Sequence, residues 1–100
     1  MIDFARIVGF DWDPGNLTKN AHKHGVSVAE SEEVFFNQPL LVVDDAAHSR
    51  QEVRLHALGV TNVGRQLHVS FTLRADDTLI RIISARDMSE RERRRYEQEA

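Results

Sequence analysis

His22, Lys23, His24 and Gly25 follow one another in the stretch "NAHKHGVS", residues 20–27. A lysine next to an imidazole can hold an anion and move a proton, because histidine titrates near neutral pH. The same residues also have a purely local explanation. Gly25 suits the left-handed stop of a helix, and Lys23 and His24 are cations facing its last carbonyls. His22 and His24 are two apart, about 200° around a helix, so they cannot chelate one ion there. Nothing in the spacing of His48, His56 or His68 adds a metal site, and neither a metal nor a cofactor is expected.

Three other groups could carry chemistry. Glu52, Arg54 and His56 alternate along one strand, either as an exposed face laced with cross-strand ion pairs or as a working surface. In "RIISAR", residues 81–86, unbroken alternation sets Arg81 with Ile83 and Ala85. It turns Arg86 to the other face unless a bulge or the strand end re-aims it. An arginine on so apolar a strand needs a carboxylate or phosphate, and Glu52 is a candidate structural partner for Arg81. The last group is "RERRRYE", whose arginines and glutamates suit a solvated helix with i, i+4 pairs such as Glu90–Arg94. Tyr96 is its only large apolar side chain, so the helix is expected to dock loosely, with Tyr96 able to stack on a base.

Elements to position these groups follow from local signals. "VGFDW" at 8–12 reads as a strand. Asp13 as N-cap, Pro14 in the first turn and Gly25 as stop predict a helix near 14–24. "SVAE" at 27–30 is a capping box that opens a second helix over about 28–36, with Val28, Val34 and Phe35 inward and "NQP" closing it. Period two then takes over through "LLVVDD", "QEVRLHALGV", "QLHVSFTLR" and "TLIRIISARDM". "TNVGR" and "ADD" are the hairpin turns, and Ser89 with Glu92 repeats the capping box ahead of the terminal helix. The expected class is α+β: an antiparallel sheet with two N-terminal helices and one C-terminal helix, the helices on one face.

The chain has 100 residues, 41% hydrophobic and 29% charged, which fits one globular domain spanning 1–100. No apolar run reaches the roughly 18–20 residues of a membrane span, and no signal-peptide pattern opens the chain. Cysteine is absent, which excludes disulfides and thiolate chemistry, so a cytoplasmic address without membrane contact is expected. The net charge of −3 argues against a protein that simply coats nucleic acid. Residues 79–95, however, hold six arginines against three acids, and a phosphate-attracting surface would involve them.

Together, "FDWDP" at 10–14, "N..KHGVS" at 20–27, "EVF" at 33–35 and "RIISAR" with "ERERRRYE" resemble the BrnT toxins of bacterial type II toxin–antitoxin systems. The likeness runs in order from about Phe10 to Glu97. It implies a RelE-like ribonuclease fold and translation arrest through RNA cleavage. It also implies neutralisation, in a hetero-oligomer, by a BrnA-type antitoxin. That antitoxin's ribbon-helix-helix domain binds operator DNA, which the toxin reaches only through its partner.

Metal-free cleavage uses the 2′-OH to attack the adjacent phosphorus, which needs a base, an acid and fixed cations. On the resemblance, Lys23 and His24 match "KHG", with His24 as general acid or base. Arg54, Arg81 and Arg86 match the strand arginines that hold phosphate, Glu52 orients an arginine, and Tyr96 positions RNA. The chain departs from the pattern in its acidic net charge and in Asp11, where glutamate is usual. Two alternatives remain beside the metal-independent endoribonuclease. One is a catalytically weak module that binds the antitoxin and acts as co-repressor. The other, a metal-dependent hydrolase, rests only on scattered histidines.

Overall fold

The computed structural model describes residues 2–13, 15, 24–48 and 52–100. Its elements are β1 (Gly9–Phe10), α1 (Val28–Glu33), β2 (Leu41–Asp44), β3 (Leu55–Val60), β4 (Gln66–Arg74), β5 (Leu79–Asp87) and α2 (Glu90–Glu99). Short 3-10 turns cover Phe4–Arg6 and Ala46–His48. Five strands form one sheet in the order β1-β5-β4-β3-β2.

The class is α+β, but the expected arrangement needs correcting on three points. First, the sheet is mixed. β2 to β5 form the antiparallel meander, whereas β1 pairs parallel with β5, Gly9 opposite Leu79 and Phe10 opposite Ile80. A tight turn enforces antiparallel pairing only between consecutive strands; β1 meets a strand some seventy residues later, and no hairpin fixes its direction. Second, the described residues hold two α-helices, α1 and α2, and not two N-terminal helices plus a third. The helix expected near 14–24 lies outside the described residues apart from Gly15 and His24. Third, the helices do not share a face.

The main core explains the position of α1. Leu55 and Ala57 of β3, Leu67, Val69 and Phe71 of β4, and Ile80, Ile82 and Ala85 of β5 are buried together with Val26 and Val34. Ser27 accepts from the Glu30 amide and Glu30 accepts from the Ser27 amide, so the predicted capping box starts α1. Val34 and Phe35 follow the helix, Val34 buried and Phe35 packed edge-on to Phe71 with centroids 5.0 Å apart. Gly59 of β3 faces the same helix end. A Cβ there would stand 3.1 Å from Val34 Cβ and 3.3 Å from the Val34 carbonyl oxygen. Gly59→Ala is therefore expected to lower stability by about 1–3 kcal/mol, as overpacking does. A chemical-denaturation midpoint that does not move would show that this contact relaxes freely.

On the other face lies a smaller cluster, Leu58, Met88 and Tyr96, with Leu41 and Val60 packed against it. Leu58 alternates with Ala57 and Gly59, so it points away from the main core. This apolar patch on a largely polar face gives α2 its docking place. The helix does not ride loosely on a solvated surface: Tyr96 is 5% exposed, and its hydroxyl donates to the Pro39 carbonyl at 2.5 Å.

Candidate nucleic-acid interface and active site

A bulge decides which side chains share the outer face of the sheet. Ser70 pairs with Ser84, yet Phe71 pairs with Ile82, which leaves Ile83 as an extra residue on β5. Alternation restarts there. Arg81, opposite Thr72, and Arg86, opposite His68, therefore lie on the same face, while Ile82 and Ala85 both stay in the core. Arg81 does not share a face with Ala85, as uninterrupted alternation predicts.

On β3, His56 lies opposite Ser70 and belongs to this face. Its Nδ1 is 2.9 Å from the Ser70 hydroxyl, and its Nε2 is 2.8 Å from a carboxylate oxygen of Asp45. An acceptor-only carboxylate places the proton on Nε2 when His56 is neutral, so Ser70 then donates to Nδ1. The His68 ring stacks on His56 with centroids 4.6 Å apart. The outer face thus presents His56, His68, Arg74, Arg81 and Arg86, with Arg54 half-buried just before β3.

Carboxylates from neighbouring segments meet these arginines. Arg74 pairs with Glu52 at 2.5 Å, and Arg81 with Asp13 at 2.5 Å and Asp11 at 3.6 Å. Glu52 thus does hold an arginine, but Arg74 in place of Arg81. Arg86 forms a bidentate pair with Glu92 of α2, both bonds at 2.8 Å. Glu92 also accepts from the Ser89 amide, so one carboxylate caps its own helix and ties it to β5. Bonding to Arg86 holds Glu92 down to about 2, while burial and then the charge of Arg86 press His68 down to about 4.

Both folded values lie below the unfolded ones, 6.5 for His68 and 4.5 for Glu92, so acid protonates the unfolded chain first. Stability is full above about pH 6.5. It falls first with His68 between about 6.5 and 4, then with Glu92 between about 4.5 and 2, each by at most about 2–3 kcal/mol. Urea midpoints taken from about pH 7 down to about pH 4 check the first stage. A His68→Phe variant is expected to flatten it. A wild-type midpoint that stays level over that range would contradict the burial of this imidazole.

The remaining expected residues are placed as follows. Lys23 lies outside the described residues. His24 is half-buried and precedes Gly25, which has the left-handed φ of 64° of a helix stop. The Gly25 carbonyl accepts from Arg65, whose guanidinium also binds Glu30 and both carboxylate oxygens of Asp87. Asp87 follows Arg86 but points to the α1 side, whereas Arg86 turns to Glu92 of α2. Tyr96 is buried beneath α2.

Sequence reading missed Arg65, His68 and Asp45. Arg65 falls in the turn "TNVGR", and its side-chain partners lie 22 to 40 residues away. The period-two pattern of "QLHVSFTLR" does put His68 on the outer face, which was the one available signal. Among the described residues, no group of three or more His, Asp or Glu is placed to hold a metal ion, and no helix is long and apolar enough to cross a membrane.

The mixed-sheet α+β domain gathers arginines and histidines on one sheet face, and such side chains can hold phosphate groups. The profile of the family described as "Ribonuclease toxin, BrnT, of type II toxin-antitoxin system" matches residues 12–92. The chain belongs to this BrnT toxin family, and with it to the ribonuclease toxins that have a cognate antitoxin and an RNA substrate. No curated protein matches it significantly.

Proposed function

We propose that the chain is a metal-independent endoribonuclease that cleaves RNA by 2′-OH attack on the adjacent phosphate and so arrests translation. The observation that carries this is the shared face on which the Ile83 bulge brings Arg81 and Arg86 into line with His56 and His68. RNA phosphates bind Arg54, Arg81 and Arg86, and the crowded phosphorane is stabilised by guanidinium groups already fixed in place. His24 takes the 2′-OH proton as the O2′–P bond forms and returns a proton to the 5′-oxygen as the P–O5′ bond breaks, and Lys23 adds charge next to it in sequence. Glu52 orients Arg74, and Tyr96 reaches RNA only when α2 leaves the sheet. The whole chain, 1–100, acts as one cytoplasmic domain in a hetero-oligomer with a BrnA-like ribbon-helix-helix antitoxin, through which alone it meets operator DNA.

The test is incubation of labelled RNA with purified, antitoxin-free protein in EDTA. Products with 2′,3′-cyclic phosphate ends are expected. Folded protein that cleaves no RNA, free or on ribosomes, would rule the reading out.

A second reading, a catalytically weak antitoxin-binding co-repressor, has its own support. Arg74, Arg81 and Arg86 are already matched by internal carboxylates, and the net charge is −3. Intact RNA together with antitoxin-dependent operator binding would favour it.

A further inference from the structure

Glu92 is a carboxylate that reaches the outer face from the helix packed on it. Its two oxygens meet the Arg86 guanidinium in the fork geometry with which arginine receives carboxylate or phosphate. The oxygen bound to Arg86 Nη2 also lies 3.7 Å from His68 Nε2, so arginine and imidazole converge on a single anionic oxygen. Behind His68 stands His56, itself held by Asp45 and Ser70, so the imidazole is stacked against a fixed partner. A cleft of about 490 Å³, lined by Asp45, His56, Leu58, His68, Glu92 and Arg95, opens beside this group.

We infer that the Glu92 carboxylate occupies the seat of an RNA phosphodiester, and that His68 is the second ligand of that phosphate beside Arg86. This rests on the ribonuclease reading and adds to it a residue, His68, and a competitor, Glu92. A phosphodiester carries one negative charge and two free oxygens, as the carboxylate does, so it can take over both guanidinium bonds. Neutral His68 donates from Nε2 to the nearer oxygen. The exchange needs α2 to move; among the described residues the Leu58–Met88–Tyr96 cluster with Leu41 and Val60, and the Tyr96–Pro39 hydrogen bond, hold that helix beside Glu92 itself. Burial keeps His68 uncharged, consistent with a hydrogen-bond donor that adds no cation to a face already rich in arginine.

The experiment is binding of a short 2′-O-methyl oligoribonucleotide, which cannot be cleaved by 2′-OH attack, to wild type, Glu92→Gln and a Glu92→Gln/His68→Phe double variant. Glutamine still closes a capping box, so the helix is kept while the competing charge is removed. The Glu92→Gln variant is expected to bind about tenfold more tightly, the scale of one charge-assisted contact. The phenyl ring keeps the stack on His56 but offers no donor, and the double variant is expected to lose most of the gain. Nitrogen-15 shifts of the His68 ring in Glu92→Gln are expected to move on adding the oligonucleotide.

Equal or weaker binding by folded Glu92→Gln would overturn the inference, as would a double variant that binds as tightly as the single one. Cleavage by wild type with no gain in Glu92→Gln leaves the ribonuclease reading standing and removes the seat. A gain that depends on His68, with no RNA cleaved, does the reverse.

Discussion

Arg86→Ala is expected to lower the initial rate of RNA cleavage by about 10²–10³-fold, the usual cost of removing one fixed donor to a developing anion. The protein should still fold. Arg86 lies at the partly exposed end of β5, and the loss of its pair with Glu92 is expected to cost about 1–2 kcal/mol. Melting followed by circular dichroism separates the two effects, because a rate loss of that size with a shift of only several degrees cannot be unfolding. Arg86→Lys is the informative companion. It keeps the charge but not the fork, so it should recover part of the binding and little of the rate. His24→Ala measured alongside reports on proton transfer, where a general acid or base is worth about 10²–10⁴-fold. If Arg86→Ala cleaves like wild type, the outer face is not where the chemistry happens.

The second large effect is on stability. Phe71 is fully buried at the centre of β4, opposite Leu55 and Ile82 and edge-on to Phe35. Phe71→Ala removes a ring on which both the sheet and the segment after α1 rest, and about 3–5 kcal/mol is expected to go with it. Domains of this size carry roughly 5–15 kcal/mol in all, so the variant should unfold some 15–30 °C lower or fail to accumulate. Urea unfolding of wild type and variant gives the difference directly. A loss under about 1 kcal/mol would mean that the core is arranged differently.

The contrast between these two residues shows what the sequence reveals. Phe71 announces itself: "QLHVSFTLR" alternates cleanly, and the strand occupies Gln66–Arg74 as read. Both capping boxes were equally legible, because the partners are three residues apart and the chemistry is local. Arg86 was legible as a residue type, but its surroundings were not. Its face depends on the extra residue Ile83, and nothing in "RIISAR" distinguishes a bulge from a regular strand. Its partner Glu92 was read only as a cap, although the same carboxylate also reaches across to β5. The parallel β1 and the placement of α2 on the outer face escaped for a related reason. Each is decided by contacts distant in sequence, on which alternation and capping are silent.

The sheet closes on strands of two and four residues, β1 and β2, whereas its inner strands run from six to nine. Unpaired N–H and C=O groups along a rim are what let one chain template another into a growing ladder, and short outer strands are a recognised defence. Yet β1 covers β5 only at Leu79 and Ile80, so among the described residues no strand lies beside the remainder of that edge. A partner that adds a strand would therefore meet its longest run of backbone groups beside β5, not along β1 or β2.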